Sequence, residues 1–403
     1  MFRSSRGWGK LDGGIKIMQE IILVRYGEII LKGLNRPLFE DKLVKNIKKA
    51  LRNERYSIWR SQARIYIEPL DGEELNSEQM MEKLTKVFGI VSVSPAYKVP
   101  SDMESIYLAV EKCAGEIDGR KTFKVECKRG EKSFPLTSPE ICCEVGGYIL
   151  ENFDNLIVDV IKPEVKINIE VRENSYVYSR IIPSYGGMPT GTNGKAMLLI
   201  SGGIDSPVAG WMLGKRGVEI DAVHFCSPPY TGPKAREKVI DLCKIVASYT
   251  GKMNLHIVPF TDIQLELRDK CPEEQLTILM RRYMMRIAER IAKKNECSAL
   301  VTGENIGQVA SQTMQGLCAS DIVVEMPIFR PLIAMDKNDI VDMAKKIGTF
   351  ETSILPYEDC CTIFLPQRPE TKPKIEKLLL SEDKINGEEL ICKAIENTQV
   401  IEI

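Results

Sequence analysis

The sequence predicts two architectures in one chain: small α+β modules first, then an α/β domain built on a doubly wound, mostly parallel sheet. Three observations carry this expectation. Up to about residue 180, short apolar strands and amphipathic helices alternate irregularly. Residues 183–195 (PSYGGMPTGTNGK) then break the pattern with Gly, Pro, Ser, Thr and Asn. From Ala196 onward strands and helices alternate regularly, as βαβ units do. With 403 residues, 44% of them hydrophobic, the chain has material for two or three separate cores.

Residues 1–17 are rich in Gly, Arg and Ser without periodicity and read as a disordered leader, with Met18 directly before an apolar run. Residues 20–26 (EIILVRY) read as a strand, and residues 37–52, with Leu38, Leu43, Ile47 and Leu51, as an amphipathic helix. A strand at 64–67, a helix at 79–88 and a strand at 91–99 complete a unit that fits a ferredoxin-like module. Next come a helix, a strand at 123–128, a second helix, and strands at 164–171 and 176–181. The second helix is expected to start at Ser138, since Ser-Pro-Glu supplies a cap, a first-turn proline and a first-turn acid. Beyond the 183–195 linker, a strand at 196–200 leads through a glycine-rich turn into a helix ending near Gly217, followed by a strand at 222–225. Residues 272–294 read as a helix with acids at its start and lysines at its end, and 299–302 as a strand. The parallel sheet is therefore expected from about 195 to 360, with its ligand outside the carboxyl ends of the strands.

No run approaches the roughly 18 apolar residues of a membrane span, and no signal peptide is evident, so a cytoplasmic protein is expected. Twelve cysteines spread over 403 residues do not form the dense pattern of a secreted disulfide scaffold. The net charge of -1 hides local asymmetry. Between Arg36 and Arg64 there are nine Lys/Arg against three acids, and a second basic run spans 120–132. Lys42, Lys45, Lys49 and Arg52 are spaced to share one helix face, which suits a phosphate backbone, while a merely solvated face is the alternative.

The strongest chemical signal is Ser201-Gly202-Gly203-Ile204-Asp205-Ser206, lying between an apolar strand and a helix. Glycines let the backbone approach an anion, helix-start amides attract phosphate, and Ser201 and Ser206 add hydroxyls. The GK[ST] ending of a Walker loop is absent. Asp205 suits either a magnesium-bound water or turn stabilisation, and metal ligands stay open.

This SGGxDS loop resembles the pyrophosphate loop of the ATP pyrophosphatases, which cleave ATP to AMP and pyrophosphate while adenylating a substrate. Within that group, KAMLLISGGIDSPVAGWMLGKRG, VRYGEIILKGLNRPLFE, VHFCSPPYTGPKA, LMRRYMMRIAE, TGENIGQVASQT and LPYEDCCTIF are similar to ThiI, the tRNA sulfurtransferase family. The resemblance implies a ferredoxin-like domain at 18–76, a THUMP RNA-binding domain at 77–182 and a pyrophosphatase domain at 196–403. It implies ATP, with magnesium, bound by Leu199, Ile200, Ser201, Gly202, Gly203, Asp205, Ser206, His224, Phe225, Arg281, Gly303 and Gln312. Gly303 would leave room for the nucleotide beside Glu304. It implies tRNA on Lys42, Lys45, Lys49, Arg52, Lys128 and Arg129. Cys360, with Cys361 as the neighbouring alternative, would carry sulfur, and Asp205 would take part in activation. The longer members add a rhodanese domain, for which this chain, ending at Ile403, leaves no room; a cysteine desulfurase is then the expected donor. The resemblance also brings in a homodimer and sulfur supply for thiamine synthesis. Two rivals are an amidating ligase, which would need an ammonia-producing site beyond His224 and His256, and an idle RNA-binding protein, which would have a degraded loop.

Overall fold

The computed structural model of the protein describes residues 18–70, 73–357, 364, 366 and 368–403. The chain divides into two compact units. Leu51–Thr85, Val91–Ser184 and the stretch up to Tyr26 form the first; Gly27–Ala50, Lys86–Ile90 and Tyr185–Ile403 form the second. Helix α1 (Arg36–Ala50) thus groups with the second unit.

The first unit is built on a sheet with nine strands among the described residues. They are β1 (Gln19–Tyr26), β2 (Tyr56–Ser61), β3 (Arg64–Pro69), β4 (Ile90–Pro100), β5 (Lys121–Arg129), β6 (Leu156–Val158), β7 (Val165–Val171), β8 (Asn174–Tyr178) and β9 (Ile182–Pro183). The order is β2-β3-β1-β4-β8-β7-β5-β6, with β9 paired to β4. Helices α2 (Ser77–Thr85), α3 (Met103–Gly115) and α4 (Ser138–Asn152) complete the unit. Helices α3 and α4 bury Ile106, Val110, Ile141 and Val145 against Phe123, Ile167, Ile169 and Val177 of the strands. Tyr176 and Tyr178, one residue either side of Val177, point the other way, into a cluster made of strand residues alone.

Three expectations for this part are corrected. The cap of α4 is Thr137, in a capping box with Glu140, and Ser138 is the first helical residue. Leu38 is 68% exposed, because the buried stripe of α1 runs through Glu40, Leu43 and Ile47, and Leu38 lies roughly 140° round the helix from Leu43. Strand β8 ends at Tyr178 rather than 181. Strand β2 escaped the sequence reading because its turn into β3 uses Gln62 and Ala63 at φ +46° and +61°, without the Gly or Asn that marks such turns.

The second unit holds a six-stranded sheet ordered β14-β13-β10-β11-β12-β15. Its strands are β10 (Lys195–Leu199), β11 (Glu219–Cys226), β12 (Asn254–Pro259), β13 (Ala299–Val301), β14 (Ile328–Phe329) and β15 (Gln399–Glu402). All pairs are parallel except β12 with the edge strand β15. The helices are α5 (Asp205–Lys215), α6 (Pro233–Thr250), α7 (Thr261–Lys270), α8 (Leu276–Lys294), α9 (Met314–Asp321), α10 (Lys337–Ile347), α11 (Phe350–Ser353), α12 (Ile375–Glu382) and α13 (Gly387–Glu396). Met197, Val223 and Val258 point into a core with α7 and α8, while Leu198, Ala222 and Ile257 point into one with α5, α6 and α10. The sheet is covered on both faces, which is the doubly wound arrangement. The strand order reverses at β10, between β11 and β13, and that switch point opens a crevice at the strands' carboxyl ends.

The segment expected as a linker is ordered from its first residue: Pro183 belongs to β9, and the Ser184 N–H donates to Val91 O. Met188 is fully buried and its N–H donates to Lys215 O, while Gly191 N donates to Gly217 O. Gly187 sits at φ +80°, with Lys215 where a Cβ would stand. In the same unit Lys42 Nζ pairs with Glu219 at 3.2 Å, and Asn46 Nδ2 donates to Thr190 O.

Candidate nucleotide site

The glycine-rich loop connects β10 to α5 at the switch point. Ser206 Oγ accepts the Ser201 N–H at 2.9 Å, and Ser201 Oγ accepts the Gly203 N–H at 3.3 Å, so the two serines fold the loop back over the helix start. No side chain caps α5. Its first-turn amides and the positive end of its dipole therefore face the crevice as an anion cradle.

A cavity of ≈ 280 Å³ lies against this loop. Leu199, Ser201, Asp205 and Ser206 form one side, and Thr277, Met280, Arg281, Met284 and Met285 of α8 form another. Thr302, Gly303 and Glu304, after β13, and Ser311 and Gln312 close it. Its wall is thus apolar where the methionines stand and polar at the loop, the combination that suits a flat base joined to a charged tail. Thr277 Oγ1 and Gln312 Oε1 are buried and lack a hydrogen-bond partner among the described residues, which leaves them for a ligand.

Charges around the cavity are linked. Glu304 pairs with Arg281, accepts Arg330 Nε at 2.7 Å and accepts the Thr302 hydroxyl at 2.9 Å. Arg281 Nη1 also donates to Ser311 Oγ at 3.2 Å, and Arg330 continues to Asp321 at 3.0 Å. Asp205 accepts Lys337 Nζ at 2.6 Å and Gln308 Nε2 at 2.8 Å. Both carboxylates beside the loop are therefore engaged by cations, and among the described residues no group of three His, Cys, Asp or Glu could hold a metal ion.

Of the residues expected to bind nucleotide, Leu199, Ser201, Asp205, Ser206, Arg281, Gly303 and Gln312 line the cavity. Others sit behind it. His224 Nδ1 lies 3.1 Å from Ile200 O and braces the end of β10. Phe225 packs edge-on against Phe260 in the core, and Ile200 is buried in the opposite core. At Gly303 a Cβ would also lie 2.7 Å from Ser206 N, so the glycine makes room for the chain's own loop as well as lining the cavity. Thr277, Met280, Met284 and Met285 were not singled out in the sequence, although their spacing along LTILMRRYMM places them on one helix face. Lys337 and Gln308 gave no local signal, since each reaches Asp205 from more than a hundred residues away.

On α1, Lys45 and Lys49 are exposed, whereas Lys42 is drawn onto Glu219; Arg52 is exposed beyond the end of α1. Lys128 is exposed, and Arg129 Nη1 is spent on Phe134 O and Leu136 O. Cys360 and Cys361 lie outside the described residues.

Residues 191–386 match the family described as thiamine biosynthesis protein (ThiI), 21–94 the ThiI ferredoxin-like domain and 100–179 the THUMP domain. A probable tRNA sulfurtransferase from Acetivibrio thermocellus is 61% identical over 390 residues, covering 96% of this chain and 99% of the relative. The chain belongs to the ThiI family. Another ThiI relative, a probable tRNA sulfurtransferase from Alkaliphilus metalliredigens, is 53% identical over 95% of this chain and 98% of its own length. Among solved structures, a 4-thiouridine synthetase in complex with RNA and bound ATP superimposes with a TM-score of 0.87 at 40% identity, covering 96% of this chain and all of that one. A Pyrococcus horikoshii protein superimposes at 0.64 with 27% identity, over 82% of this chain and 99% of its own. The ferredoxin-like match ends inside β4 and the THUMP match begins at its last residue. Among the described residues no helix is long and apolar enough to cross a membrane.

Proposed function

We propose that this chain is a cytoplasmic, ATP-dependent tRNA sulfurtransferase that converts a uridine, position eight, to 4-thiouridine. The observation that carries the reading is the uncapped helix start and paired serines of the SGGIDS loop facing a cavity with an apolar wall, Arg281 and two unpartnered polar atoms. The ATP-bound structural neighbour supports ATP as the occupant. Family membership favours this reading over an amidating ligase, and the intact loop favours it over an idle RNA-binding protein.

In this mechanism the loop amides and Ser201 and Ser206 hold the pyrophosphate end of ATP, which arrives as its magnesium complex, and the methionine wall holds the base. The uridine O4 attacks the α-phosphate and pyrophosphate leaves. Lys337 holds Asp205 in place beside the loop, while Arg281, shared between Glu304 and Ser311, offsets phosphate charge. A persulfide on Cys360, loaded by a cysteine desulfurase, then attacks C4 and AMP departs. Cleavage of the resulting disulfide link by two electrons from an external thiol leaves sulfur on the base. Burial raises the thiols of Cys226 and Cys271, and raises those of Cys243 and Cys297 to about 12, which makes these four poor carriers.

The test separates the two halves of the reaction. Ser206→Ala is expected to abolish tRNA-dependent AMP release while tRNA still binds. Cys360→Ser is expected to release AMP but form no 4-thiouridine with a desulfurase and cysteine, and Cys361→Ser to retain much of its activity. Normal AMP release by Ser206→Ala would overturn the nucleotide assignment; thiolated tRNA from Cys360→Ser would overturn the carrier.

A further inference from the structure

The face of the first unit's sheet that carries no helix among the described residues also carries an arginine cluster. Arg25 on β1 and Arg64 on β3 are direct cross-strand partners, an arrangement of like charges that ordinarily costs stability. Arg25 Nη1 donates to Ser94 Oγ at 2.9 Å, and its guanidinium lies over the Tyr178 ring, 4.7 Å from the centroid. Arg64 Nη2 reaches Glu170 Oε1 at 3.4 Å, Arg172 Nη2 reaches Glu170 Oε2 at 2.9 Å, and Tyr178 Oη donates to Glu170 at 3.0 Å. One carboxylate therefore serves two guanidiniums, and the third, Arg25, has no carboxylate partner among the described residues. Two buried donors, Arg25 Nη2 and Arg64 Nε, have no partner at all among the described residues.

Buried unpaired N–H groups on charged side chains are costly, and a site with surplus positive charge and spare donors is complete only with an anion. The next row of the same face is aromatic: Trp59 stacks on Tyr66 with centroids 3.9 Å apart, and Lys98 lies over Trp59. Arginines beside a half-buried, stacked aromatic are the surface chemistry that receives RNA backbone and unstacked bases.

We infer that Arg25, Arg64 and Arg172 form a phosphate-binding site on this sheet face, occupied by a backbone phosphate of the RNA substrate. The inference rests on the tRNA reading above and adds to it a contact point distinct from the basic helix α1. Glu170 holds two of the arginines in place, and the surplus positive charge of the cluster attracts the phosphate.

The experiment compares the full chain with its Arg25→Gln and Arg64→Gln variants, titrating a tRNA transcript by fluorescence anisotropy across a salt series. Each variant is expected to bind more weakly at low salt, and the slope of log affinity against log salt is expected to fall by about 0.7–0.9, one phosphate contact. Without RNA, Arg25→Gln is expected to melt no lower than the wild type, because it relieves the like-charge pair; a purely structural role would lower its melting temperature. Affinity and slope unchanged in both variants, while the wild type binds tRNA, would overturn the inference. A wild type that binds no tRNA would overturn the proposed function instead. In a parallel melting series with inorganic phosphate alone, stabilisation of the wild type but not the variants, with tRNA slopes unchanged, would assign the site to free phosphate and overturn its RNA occupant.

Discussion

Replacing Gly303 by alanine tests whether the loop geometry is set by close backbone packing. The added Cβ would stand 2.7 Å from Ser206 N, 2.8 Å from Asp205 C and 2.9 Å from Ser206 Cα. Comfortable contacts to carbon are about 3.5–4.0 Å, so the start of α5 must retreat by roughly 0.5–1 Å. All three obstructing atoms are backbone, and no side chain can rotate away. Overpacking of this kind costs about 1–3 kcal/mol. For a unit of this size that lowers the melting temperature by roughly 2–12 °C. The larger effect is on function, since a displacement near 1 Å at the phosphate cradle reduces turnover by up to about 100-fold. Thermal melting and tRNA-dependent AMP release are measured together, with Gly146→Ala as the control. A Cβ at Gly146, inside α4, meets nothing within 4 Å, and that variant is expected to gain about 0.4–1 kcal/mol. A Gly303→Ala protein that melts with the wild type and releases AMP at the same rate would refute the packing argument.

Glu382 receives Arg282, which is 1% exposed, at 2.8 Å and Arg286 at 2.9 Å; burial pushes its carboxyl up, but the two guanidiniums outweigh this and hold it below the usual range. Glu382→Gln leaves a buried guanidinium without its counter-charge, so stability is expected to fall by about 3–5 kcal/mol, measured by urea unfolding; an unchanged midpoint would show that the pair contributes nothing. His256 is buried with Nε2 unpartnered among the described residues, and burial holds its pKa below the ordinary value. The unfolded chain takes up this proton first, near pH 6.5, so the stability His256 contributes is complete above about pH 6.5 and is lost as pH falls through the folded value. Unfolding midpoints measured from neutral to mildly acidic pH should therefore fall less steeply for His256→Asn than for the wild type, and identical slopes would remove His256 as the cause.

The sequence carried the architecture because its signals were local. The apolar strand before SGGIDS and the alternation after Ala196 mark β10 to within a residue and the end of α5 to within two, and place the expected 222–225 strand inside the longer β11. Strand β2 was hidden because Gln62 and Ala63 adopt left-handed conformations that their residue types do not announce. The site was legible at the loop and less so around it. Ser201, Asp205 and Ser206 stand in one motif, whereas Lys337 and Arg330 meet Asp205 and Glu304 only through the fold. At His224 and Gly303 the family resemblance marked the positions, and the structure adds contacts no local signal announces: His224 braces the end of β10, and Gly303 admits the loop backbone. Lys42 looked like its neighbours on α1 until folding placed Glu219 within 3.2 Å.

The central claim, that the SGGIDS loop activates a tRNA uridine for sulfur transfer, is tested most directly by counting products. The purified chain is incubated with tRNA, magnesium ATP, cysteine and a cysteine desulfurase; AMP is quantified, and the tRNA nucleosides are resolved by mass spectrometry. One AMP is expected for each 4-thiouridine, with both lost together in Ser206→Ala. Thiolation without AMP, or ATP cleaved only to ADP, would contradict it.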